Sequence, residues 1–123
     1  MGHPINWYAG WSLLLAAFAT GALIGLFFAR EDFMGGYDSW RRRLTRLGHI
    51  ALAALGMLNM IYGIAPRPFP DTWQATGAST ALIIGGISMP IVCFLCAWQK
   101  PLRHLFPIPV IALITAAICV LLG

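Results

Sequence analysis

Four stretches of this chain, residues 11–29, 47–64, 77–98 and 106–122, contain no Asp, Glu, Lys or Arg. No other feature restricts the fold so strongly. A helix needs roughly 17–25 predominantly apolar residues to cross the hydrocarbon core of a bilayer. Within that core a helix satisfies its own backbone hydrogen bonds, which water cannot do there. With 59% hydrophobic and 10% charged residues, the chain is far from the roughly one-quarter charged composition of a soluble domain. The expected fold is an all-α integral membrane protein, a single domain over residues 1–123 with four transmembrane helices in a compact bundle. No residues are left over for a soluble domain. The fourth span is the shortest, and it opens with Pro107 and Pro109, which suit the first turn of a helix and not its interior.

Orientation follows from the basic residues. Arg30, Arg41, Arg42, Arg43 and Arg46 lie between the first two stretches, and Lys100 and Arg103 between the last two. Only Arg67 lies elsewhere. The positive-inside rule places those two short loops in the cytoplasm and both chain ends outside. The expected location is the bacterial inner (cytoplasmic) membrane. Trp7, Tyr8, Trp11, Tyr62 and Trp73 suit an outer aromatic belt, and Trp40, Trp98 and Phe106 an inner one. The net charge of +4 thus reports topology, and a nucleic-acid partner is not expected. Met1 to Asn6 carries no Lys or Arg ahead of the apolar run, so no signal-peptide n-region is expected.

The first basic loop contains Gly35-Gly36-Tyr37-Asp38, a turn signal. Ser39, or Asp38, can then cap a helix that starts at Trp40 and runs into the second span. Residues 65–76 include Pro66, Pro68 and Pro70 and are expected to form a stiff, extended loop. Pro90 falls near the middle of the third span and is expected to kink it.

Lipid gives helices little hydrophobic reason to associate, so close backbone approach at small residues must hold them together. Such residues recur as Ala17, Gly21 and Gly25, as Gly56 and Gly63, and as Gly77, Ala81 and Gly85. These stripes point to internal packing, with an oligomer face as the alternative for one of them. Asn59 is the strongly polar side chain deep in a span, and an interhelical bond to Thr20, Ser88 or Thr115 would satisfy it.

The chemistry is bounded mainly by exclusion. Ion-coupled transporters usually need an ionisable group in the membrane, and the spans hold no Asp, Glu, Lys or Arg. The small multidrug transporters are similar in length and span number only, because the buried Glu on which they depend has no counterpart here. The fluoride-channel family is similar in length, but its polar motifs find no match. His49 and His104 fall near the same end of different spans and form a candidate haem-ligating pair. Met89, Cys93 and Cys96 share a helix face, as do His49, Met57 and Met60, and thioether, thiolate and imidazole suit copper(I). The bland alternative is that Met and Cys here only pack. Cys93, Cys96 and Cys119 all sit in apolar segments and give no disulfide framework. Arg41, Arg42, Arg43 and Arg46 are expected to meet anionic lipid headgroups, each contributing about 1 kcal/mol near the surface.

No nucleophile with its base, phosphate loop or carboxylate pair can be assembled, so an enzyme is not expected. The expected role is that of a small non-catalytic accessory, scaffold or assembly subunit in a larger membrane complex, such as an electron-transport complex. Its partners would be the lipid bilayer and other membrane subunits or copies of itself. The alternatives are a haem- or copper-binding protein and an oligomeric channel or transporter for small solutes.

Overall fold

The computed structural model describes residues 3–65 and 72–123. The chain forms α1 (Pro4–Phe27), a 3-10 turn (Phe33–Gly35), α2 (Trp40–Ile64), α3 (Trp73–Trp98), a 3-10 segment (Lys100–Leu105) and α4 (Pro107–Leu122). No strand occurs among the described residues. Four helical stretches are long and apolar enough to cross a membrane, the last of them being α4 together with the segment before it. The 16 residues of α4 alone would cover only about 24 Å at 1.5 Å per residue.

Three helices start well before the apolar stretches they contain. α1 begins at Pro4, whose fixed φ and missing N–H suit the first helical position. α2 begins at Trp40, where the Ser39 hydroxyl accepts from the Arg42 N–H at 3.2 Å, the cap expected from the sequence. Thr72 caps α3 in the same way, accepting from the Ala75 N–H at 3.2 Å. Pro90 lies inside α3 with its side chain fully buried, and the helix continues through it. The proline-rich segment 66–71, with Arg67, lies outside the described residues.

The turn between α1 and α2 takes three left-handed residues in a row: Met34 (φ 54°), Gly35 (φ 87°) and Gly36 (φ 104°). Glycine adopts these angles freely, whereas Met34 gives up about 1–2 kcal/mol to do so. The Ser39 hydroxyl donates to the Met34 carbonyl at 2.6 Å, while the Thr45 hydroxyl, which donates to the Arg41 carbonyl at 2.8 Å, lies 3.5 Å from the Met34 thioether. One side chain, Ser39, therefore both caps α2 and pins the turn in front of it.

The helices pack in chain order. α2 lies between α1 and α3, and the extensive contacts of α4 are with α3 and the segment before α4. α1 and α2 run antiparallel in close register. A Cβ at Gly63 would stand 2.7 Å from the Trp7 amide nitrogen, and one at Gly10 2.6 Å from the Gly56 carbonyl. Farther along, Gly21 makes room for the His49 ring, 2.8 Å from where its Cβ would be. On the other side of the molecule, Gly77 faces Cys119 and Gly85 faces Leu113, while Ala81 packs with Ala116. The small-residue stripes of α1, α2 and α3 are thus spent on internal seams. Gly25 is the exception: nothing lies within 4 Å of a Cβ there, so its expected packing role is corrected.

Adding one methyl at Gly63 or Gly10 forces two backbones apart. Gly63→Ala and Gly10→Ala are each expected to cost about 1–3 kcal/mol, the usual range for overpacking. Gly25→Ala is expected to be neutral or to add up to about 1 kcal/mol through helix propensity. Unfolding of the purified protein in micelles by titrated SDS measures all three on one scale.

Candidate functional site

Three clusters of polar groups in the helical body bear on the expected sites, and each must be satisfied locally because lipid offers no partner. The first lies near the end of the molecule that holds the start of α1. Asn6 and Asn59 are both fully buried, and Ser79 is 5% exposed. Asn6 Nδ2 donates to Asn59 Oδ1 at 2.9 Å and to the Ser79 carbonyl at 3.4 Å. The Ser79 hydroxyl donates to Asn6 Oδ1. Asn59 Nδ2 donates to the Leu55 carbonyl at 2.9 Å and the Leu82 carbonyl at 3.3 Å. Both amides use both donor hydrogens and their oxygen, so neither is left wanting. α1, α2 and α3 are joined by these bonds.

This corrects the partners expected for Asn59. Thr20 instead turns to its own helix and to His49, and the Ser88 hydroxyl donates back to the Ile84 carbonyl at 2.6 Å. Thr115 is exposed. Asn6 was missed because it precedes the apolar stretch. The signal was nonetheless present, since Asn6, Gly10, Leu13 and Ala17 form one face of α1, and extending the small-residue stripe backwards reaches it.

The second place is the Thr20–His49 pair, with Oγ1 and Nδ1 3.1 Å apart. Thr20 directs its single hydroxyl hydrogen to the Ala16 carbonyl at 2.8 Å or the Ala17 carbonyl at 3.2 Å. The contact with His49 Nδ1 ties α1 to α2 at this level. His104 is exposed on the segment beside α3 and α4, whereas His49 packs against Gly21 of α1.

The structure does not assemble the expected copper set. Cys93 and Cys96 are fully buried on α3, and Cys96 packs with Leu44, Val92 and Ala97. Met60 faces Gly10 of α1, and Met57 is exposed. Met89 is half-buried. Among the described residues no three His, Cys, Asp or Glu side chains are grouped as they would be around a metal ion.

The third place is Arg42, which is 2% exposed. Its guanidinium donates to the Phe28 carbonyl at 2.7 Å and the Arg30 carbonyl at 3.0 Å. These carbonyls belong to the frayed end of α1, where the helix leaves acceptors unpaired and its dipole favours a cation. The rings of Tyr37, Phe28 and Phe33 surround it, with centroids 3.9, 5.2 and 5.7 Å away. Arg42 is therefore not placed to meet headgroups, which corrects that expectation. Arg41 and Arg43 are exposed and Arg46 half-buried. Arg41 lies 5.3 Å from the Trp98 ring centroid, and Arg46 donates to the Tyr37 carbonyl at 3.3 Å.

Removing one member of the amide network strands the others. Asn59→Leu and Asn6→Leu are each expected to cost about 1–3 kcal/mol, and the double variant less than their sum. Arg42→Ala should destabilise the protein where Arg43→Ala leaves it unchanged. SDS-titrated unfolding again provides the measurement, and equal effects of the two arginine substitutions would contradict the capping role of Arg42.

No protein-family description, curated protein or solved structure matches this chain.

Proposed function

We propose that the protein is a non-catalytic accessory or scaffold subunit of a larger assembly in the bacterial inner membrane. The observation that carries this reading is that the buried polar side chains among the described residues bond one another or the backbone. Asn6, Asn59 and Ser79 bond one another, Thr20 bonds His49, and Arg42 caps α1. A transporter or intramembrane enzyme keeps such groups for its substrate, whereas a scaffold uses them to fix its shape. The basic loops are assigned to the cytoplasm and the chain ends to the outer side, from the distribution of Lys and Arg. Partners would be other membrane subunits or copies of the same chain, docking on the exposed apolar faces.

Gentle extraction from the native membrane followed by native mass spectrometry is the test. Co-migration with other polypeptides in fixed stoichiometry is the expected result. A particle containing this chain alone, or only copies of it, would overturn the heteromeric reading, and retained haem or copper would replace it with a redox role. Orientation is checked separately with reporters fused at residue 123: alkaline phosphatase is expected to be active there and green fluorescent protein dark.

A further inference from the structure

At the basic end of the molecule two clefts share a wall. The first, about 460 Å³, opens between α1 and α3 and is lined chiefly by carbon, with Leu23, Ile24, Phe27 and Phe94 among its residues. The second, about 440 Å³, is lined by Ser39, Trp40, Arg41 and Lys100. Met34 and Trp98 line both. Each volume lies in the range of about 300–1,000 Å³ typical of small-molecule sites. The two adjoin at Met34 and Trp98, an apolar cleft on the side of the spanning helices beside a cationic one at the loops.

The shared wall is where the chain departs from relaxed geometry. Met34 holds a left-handed backbone, and the Ser39 hydroxyl fixes it there. Strain of this kind at a cleft is a reason to look for a ligand. The charges also point one way. Arg41 stands over Trp98 at 5.3 Å and Lys100 over Trp40 at 5.7 Å. Of the acids in the nearby loop, Asp32 pairs with Arg30 at 3.3 Å, and neither Glu31 nor Asp38 lines the cleft. Two cations beside indole rings, at the level where apolar helices give way to loops, match the headgroup zone of a bilayer.

We infer that the paired clefts bind one anionic phospholipid, with an acyl chain between α1 and α3 and the phosphate between Arg41 and Lys100. A second protein helix would fill the apolar cleft but has no need of the cationic one. The site stands whether or not the chain belongs to a larger assembly.

The test uses the purified full-length protein, delipidated in detergent, with phosphatidylglycerol and phosphatidylcholine of matched acyl chains. Native mass spectrometry is expected to show one phosphatidylglycerol retained, with an apparent affinity about tenfold or more above phosphatidylcholine. Arg41→Ala with Lys100→Ala should reduce phosphatidylglycerol to the level of phosphatidylcholine. Both side chains are exposed, so the fold should survive, and Arg41→Lys with Lys100→Arg should keep the preference. Leu23→Trp, which crowds the apolar cleft, should weaken both lipids. Equal retention of the two lipids by the wild type, or a preference that persists in the double alanine variant, would overturn the proposal. So would displacement of phosphatidylglycerol by inorganic phosphate alone, or an unchanged affinity in Leu23→Trp, because either would mean that the acyl chain adds nothing.

Discussion

The hydrogen bonds among Asn6, Asn59 and Ser79 set where three helices stand relative to one another. An amide left unbonded in an apolar medium costs several kcal/mol, so these side chains tolerate only arrangements in which all three meet. A hydrophobic contact can slide by a residue or rotate by tens of degrees at small cost, and a carboxamide with every donor and acceptor used cannot. The network in turn depends on glycine. A Cβ at Gly86 would lie 2.9 Å from Asn59 Nδ2, and the contact of Gly10 with Gly56 brings α1 close enough for Asn6 to reach across. Directional bonds and missing side chains are two halves of one device, and neither would work without the other.

The same seam changes character towards the basic end of the molecule. Along α2, positions seven residues apart face α1: Gly63, Gly56, His49 and Arg42. The first two let backbone touch backbone. The last two are large, and they hold α1 through a ring against Gly21 and a guanidinium on its final carbonyls. At this end nothing lies within 4 Å of a Cβ at Gly25, and the apolar cleft opens between α1 and α3.

Much of this architecture was legible in the sequence, for identifiable reasons. The uncharged stretches gave the number of helices, because a charge in lipid is costly enough to leave a clear gap in the pattern. Ser39 and the paired prolines at 107 and 109 marked helix starts through local chemistry that tertiary contacts did not override. What could not be read was pairing. Asn59 needed a partner, but a single sequence does not say which helix supplies it, and the true partner lay outside any apolar run. Arg42 looked like its neighbours Arg41 and Arg43 in composition. Only its place on the α1-facing heptad positions of α2, shared with His49, Gly56 and Gly63, separates it from them. The histidines and sulfur residues were grouped by depth along the helices, and depth fixes one coordinate of three. Rotation about each helix axis placed His49 towards α1 and His104 on the segment beside α3 and α4.

Packing in chain order makes α3 the central wall of the molecule. It turns Ser79, Leu82 and Gly86 towards α1 and α2, and Gly77, Ala81 and Gly85 towards α4. Within its most apolar window 44% of residues are buried, against 17% in α1 and 17% in the last span. A helix gripped on two sides must be thin, and α3 is accordingly rich in Gly, Ala and Ser. α1 and α4 face lipid over most of their circumference and are bulky there, with Leu15, Phe18, Leu23, Ile111 and Leu121 all exposed. Helix association in a membrane rewards close approach more than bulk, so these outer faces pack well only against a surface shaped to receive large side chains. Fluid acyl chains provide such a surface without cost. A protein partner must bring the small residues or the groove itself, because the internal seams have already used the stripes on this chain.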